Sequence, residues 1–124
     1  MARIIVLHND ESIREMVCML LGFAGYTAIS RPTTATPLIL LPAPDLVLLD
    51  IPGNAPASGW AVLDALTRDP SMATIPVLVC SSVPAVLAQA QQRGLPTFAE
   101  PFQPADLLSL IAAHLGTKSA PPDA

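Results

Sequence analysis

The chain has 124 residues, 52% of them hydrophobic, and a mean hydropathy of +0.53, enough apolar material for one buried core. Its formal net charge is −4 and its six Lys and Arg are scattered, which excludes a surface for a nucleic-acid phosphate backbone. No apolar stretch reaches the ~18 residues of a membrane-spanning helix. The opening Met1-Ala2-Arg3-Ile4 carries no signal-peptide pattern, so a cytoplasmic protein without a membrane partner is expected.

In chain order, residues 4–7 form a short apolar strand, followed by the polar cluster His8-Asn9-Asp10-Glu11. A helix follows. Ser12 and Glu15 fit a capping box, with Asp10 a rival N-cap. Ile13, Met16, Val17, Leu20, Leu21 and Ala24 form one apolar stripe, and Gly22 and Gly25 mark its end. Residues 26–30 suit a second strand. Residues 31–44 are the least regular part, with a short apolar helix expected at 38–41 after Pro37. Leu46-Val47-Leu48-Leu49 reads as a central strand buried on both faces, closed by Asp50.

A loop rich in Pro, Gly and Asn leads to a helix at 59–68 with Trp60, Leu63 and Leu66 on one face. Residues 76–80 are a fourth strand, ending at Ser81-Ser82. Ser82 is the expected N-cap of the next helix, and Gly94 its stop. Residues 96–99 make a short fifth strand, followed by Glu100-Pro101. Pro104 opens a final helix that Gly116 should end. The expected organisation is one domain over residues 1–116, with 117–124 a flexible tail or linker. Cys18 and Cys80 have no metal-type spacing and are expected as reduced thiols.

Strand and helix alternate five times. That pattern implies a parallel sheet with right-handed crossovers and helices on both faces. Ligands in such folds collect outside the carboxyl ends of the strands. The polar groups at those ends are His8, Asn9 and Asp10, then Asp50, then Ser81 and Ser82, then Glu100. No Gly-rich phosphate loop follows the first strand, which disfavours a nucleotide-binding domain.

Four pieces in order resemble the receiver domain of bacterial two-component response regulators. They are Ile13-Arg14-Glu15-Met16 with Ala24-Gly25-Tyr26, Pro44-Asp45-Leu46-Val47-Leu48-Leu49-Asp50, Pro76-Val77-Leu78-Val79-Cys80-Ser81, and Glu100-Pro101-Phe102. The resemblance implies a flavodoxin-like (βα)5 fold with five parallel strands in the order 2-1-3-4-5. It makes Asp50 the phosphoacceptor, Ser81 the residue contacting the phosphoryl group, and Pro101 a cis-proline candidate. It also implies signalling to a histidine kinase or output protein through the fourth helix, fifth strand and fifth helix, about residues 83–114, with a homodimer compatible.

The chain departs from that family where the family keeps its charges. His8 and Asn9 replace the acidic pair that helps bind Mg²⁺, and Glu100 replaces a lysine. The family's aromatic switch position falls on Thr97 or Phe98. Imidazole is a poor ligand for Mg²⁺, and exchanging Lys for Glu moves the local charge by two units. The expectation is therefore a degenerate receiver that is not an enzyme and acts by docking, with Asp50 phosphorylation weakened or lost. Mg²⁺ is expected only on the alternative reading, a working response regulator phosphorylated on Asp50. Three readings of His8 stay open: an imidazole lying between Asp50 and Glu100 in place of the missing cations, a strand-end residue in solvent, or a transition-metal ligand with Asp50 and Glu100. Asp10 and Asp50 are the remaining metal candidates.

Overall fold

The computed structural model describes residues 2–33, 43–53 and 56–119. The expected helix at 38–41 lies outside them. The elements are β1 (Arg3–Leu7), α1 (Glu11–Phe23), β2 (Thr27–Arg31), β3 (Leu46–Asp50), α2 (Pro56–Arg68), β4 (Val77–Ser81), α3 (Pro84–Gln92), β5 (Thr97–Ala99) and α4 (Pro104–Ser119). The helices expected as fourth and fifth are thus α3 and α4. All strand pairs are parallel, in the order β2-β1-β3-β4-β5.

Side chains alternate across a strand, and the apolar runs are sorted accordingly. Ile5, Leu7, Val47, Leu49, Val77 and Val79 pack on one face with Val62, Leu63 and Leu66 of α2 and Val86 and Ala90 of α3. Ile4, Val6, Leu46, Leu48, Leu78 and Cys80 pack on the other with Val17 and Leu21 of α1 and Leu107 and Ile111 of α4. All five residues of β3 and of β4 are buried. This is why those strands carry unbroken apolar sequence.

The helix ends refine the sequence reading. Asp10, not Ser12, caps α1: its Oδ1 accepts from the Ile13 N–H at 3.2 Å, and Ser12 lies inside the helix. At the other end Gly25 adopts φ +95°, Tyr26 N–H donates to Leu21 O at 3.0 Å, and Gly25 N–H to Gly22 O at 3.1 Å. Only the left-handed conformation closes both bonds, which favours glycine. Gly94, at φ +77°, ends α3 by the same pattern. Ser82 does not cap α3. Val83 takes the N-cap position without a side-chain bond, because Pro84 fixes the first helical residue. The backbone of α4 stays helical past Gly116 to Ser119, since a glycine costs a helix only about 1 kcal/mol relative to alanine.

Helix α2 begins at Pro56, three residues before the expected Gly59. Gly59 has a packing role instead. A Cβ there would lie 2.9 Å from Ile51 side-chain carbons and 3.0 Å from the Ile51 Cα. Gly59→Ala must therefore push α2 away from the end of β3. The expected loss is about 1–3 kcal/mol, read as a lower urea midpoint with an unchanged m-value.

Candidate functional site at the carboxyl edge of the sheet

The chain runs from β1 to β2 on one side and from β2 back across to β3 on the other, so β1 and β3 flank the switch point of the sheet. Register brings the polar ends together there. Leu7 pairs with Leu49, Asp50 with Cys80, and Ser81 with Ala99. His8, Asp50 and Glu100 consequently leave neighbouring positions on one edge.

They meet side by side. His8 Nε2 lies 3.2 Å from Glu100 Oε2 and 3.6 Å from Asp50 Oδ1. The three side chains are only 11–14% exposed, so their interactions are little screened by water. Among the described residues no Lys or Arg pairs with Asp50 or Glu100. Arg14 is near, but its Nη1 donates to the His8 backbone carbonyl at 2.7 Å. The Asp10 N–H donates to His8 Nδ1 at 3.0 Å. A neutral ring therefore carries its proton on Nε2, facing the two carboxylates.

Burial, the hydrogen bond to Glu100 and the Glu100 and Asp10 charges push the Asp50 carboxyl up to about 7, against the opposing pull of His8. The hydrogen bond from His8 holds Glu100 below the usual carboxylate range in spite of its burial. Burial disfavours charge on His8, but the Glu100 hydrogen bond and the charges of Asp50, Glu100 and Asp10 outweigh it and raise its pKa above 6.5. A second proton on the ring would face the Asp10 N–H, so full imidazolium formation requires that turn to open.

The other expected site residues are placed as follows. Asn9 Oδ1 accepts from the Thr33 N–H at 2.9 Å. Ser81 is buried, and its Oγ accepts from the Val83 N–H at 3.0 Å. The Glu100–Pro101 peptide bond is cis. Thr97 Oγ1 accepts from Gln91 Nε2 at 3.0 Å, while Phe98 packs edge-on against Phe102 with ring centroids 5.5 Å apart. Cys18 and Cys80 are free thiols.

Thr33 was not anticipated. It is fully buried, and its hydroxyl donates to the Asp50 backbone carbonyl at 3.2 Å, tying the loop after β2 to the end of β3. Its position in the irregular stretch gave no periodic signal. A cavity of about 560 Å³ adjoins the three titratable groups, walled by Ile13, Met16, Pro52 and Phe102.

The Mg²⁺ that the family resemblance implies does not fit these donors. His8 offers a nitrogen, the Asn9 oxygen is engaged by Thr33, and Asp10 Oδ1 is engaged in capping α1. Mg²⁺ requires near-octahedral oxygen ligation.

A doubly wound parallel sheet with a buried aspartate closing its central strand defines a flavodoxin-like α/β module. No protein-family model matches the chain. It is 32% identical over 120 residues to the phosphate regulon transcriptional regulatory protein PhoB of Klebsiella pneumoniae, covering 90% of this chain and 50% of that protein. It matches PhoB of Escherichia coli (strain K12) to the same extent. Its backbone superposes on the signal receiver domain of a signal transduction histidine kinase from Syntrophus aciditrophicus with a TM-score of 0.81 at 21% identity, covering 100% of this chain and 97% of that one. The chain has the fold of a receiver domain and is similar in sequence to a response regulator, and it spans about half the length of the curated relatives it matches. Among the described residues no helix is long and apolar enough to cross a membrane.

Proposed function

We propose that this receiver domain is a cytoplasmic, non-enzymatic module of a two-component type system. It acts by protein–protein docking, with ordinary Mg²⁺-dependent phosphorylation of Asp50 weakened or lost. One observation carries the reading: an imidazole and a glutamate lie against Asp50, where phosphoryl transfer needs cations to neutralise the equatorial oxygens. The docking surface is α3–β5–α4, and the partner is a histidine kinase or an output protein, with a second copy of the chain as a further occupant of that face. The alternative is a working response regulator phosphorylated on Asp50. Its support is the aspartate itself, which still closes the central strand beside an open cavity.

Two variants separate docking from phosphorylation. Asp50→Asn removes the acceptor oxygen and leaves α3 untouched. Ala88→Arg places a bulky charge on the exposed side of α3. Partner recovery by cross-linking in the host cell should survive the first and be lost in the second. Loss in Asp50→Asn with retention in Ala88→Arg would favour the alternative.

A further inference from the structure

We propose that His8, Asp50 and Glu100 form a site for one transition-metal dication, best matched by Zn²⁺, held by His8 Nε2 and one oxygen from each carboxylate. The inference is independent of the docking reading and rests on the spacing of the donors.

Zn–N and Zn–O bonds of about 2.0–2.2 Å set ligand atoms roughly 3.3–3.5 Å apart around a tetrahedral ion. The imidazole nitrogen is 3.2 Å from the Glu100 oxygen and 3.6 Å from the Asp50 oxygen, and all three donor atoms lie within 4.8 Å of one another. The remaining carboxylate–carboxylate edge closes by rotation about the terminal side-chain torsions, which are broad. The three donors come from the ends of three strands fixed by backbone pairing, so little ordering remains to be done on binding.

Charge and donor type point the same way. Two partly buried carboxylates share one ring N–H and have no Lys or Arg pair among the described residues. A dication at that point meets both oxygens directly. The imidazole selects against Mg²⁺ and Ca²⁺ and in favour of Zn²⁺ and its neighbours in the transition series. Three protein ligands leave a fourth position, and the adjoining cavity of about 560 Å³ gives it room for water or an exogenous ligand. Binding must displace the Nε2 proton. That proton moves to Nδ1, because imidazole binds a single dication in its neutral form, and the Asp10 N–H now donating to Nδ1 turns away.

The test is calorimetric titration of the untagged full chain with Zn²⁺, repeated in excess Mg²⁺. One equivalent should bind and Mg²⁺ should not displace it. Co²⁺ in its place should give a visible absorption band. His8→Ala and the near-isosteric Glu100→Gln should each weaken binding by more than about a hundredfold, since losing even an outer-shell partner costs about 10–100-fold. His114→Ala should leave affinity unchanged, and the Asp10 amide resonance should move on saturation. Absence of saturable Zn²⁺ binding, or binding that survives both His8→Ala and Glu100→Gln in chains shown folded by circular dichroism, would overturn the assignment.

Discussion

Incubated with acetyl phosphate and Mg²⁺, the native chain is expected to show no gain in intact mass. The triple variant His8→Asp, Asn9→Asp, Glu100→Lys should gain one phosphoryl group, and adding Asp50→Asn should abolish that gain. In the native site a transferred phosphoryl group would arrive beside Glu100, whose carboxylate is held in its charged form by His8. A unit charge at about 4 Å is worth about 4 kcal/mol where the effective dielectric is near 20. Each 1.36 kcal/mol is about tenfold in rate, so a two-unit swing at this position alone outweighs a hundredfold change. The two aspartates supply the oxygen donors that Mg²⁺ requires. Asp at position 9 keeps one oxygen for the Thr33 N–H, where Asn9 Oδ1 now sits at 2.9 Å, and offers the other to the metal. Phosphorylation of native Asp50 at a rate comparable to the triple variant would sink the docking reading.

The second expectation concerns stability, measured in chelator. Asp50→Asn should make the protein more stable at pH 8, not less. The Asp50 pKa is raised in the folded state from 3.8 to about 7. The folded chain therefore binds a proton more tightly than the unfolded chain, and stability falls as pH rises through the window between those values. Three units correspond to an upper bound of about 4 kcal/mol, at roughly 1.36 kcal/mol per unit. The neighbours act in different windows. Glu100, lowered by His8, contributes stability above its unfolded pKa that is lost on acidification. His8, raised by its acidic neighbours, contributes stability below 6.5 that is lost as pH climbs through its folded pKa. Asp10 adds a further negative charge from the start of α1. An asparagine keeps the shape and removes the proton dependence. The expected gain at pH 8 is about 1–3 kcal/mol, or several degrees in Tm, shrinking as pH falls through that window and vanishing only below 3.8. Native protein that grows more stable between pH 5.5 and 8, or a variant that melts lower at pH 8, would contradict the assigned origin of the Asp50 shift.

The fold was legible because its signals are local. Strands buried on both faces must be apolar throughout, so residues 46–49 and 77–80 declared themselves. Gly25 and Gly94 stood where helices ended because the left-handed turn excludes most other residues. The two misplaced N-caps share one cause: competing signals a few residues apart. Asp10 and Ser12 both suit an N-cap, and Pro84 displaced Ser82 through backbone geometry that outweighs a hydroxyl.

The sequence by itself determined the alternation of strand and helix, the resemblance to receiver domains, the acidic residue closing the central strand, and the presence of His8, Asn9 and Glu100 at strand ends. Only the tertiary structure decided which of those groups touch. His8 and Glu100 are 92 residues apart in the chain, and their 3.2 Å contact exists because parallel pairing aligns the ends of β1, β3, β4 and β5 on one edge. It alone turned the Asn9 oxygen toward Thr33, and it alone assembled a cavity from Ile13, Met16, Pro52 and Phe102. Residue type is written along the chain, whereas the burial and close approach that set charge, proton position and metal affinity arise only when distant strand ends are packed together.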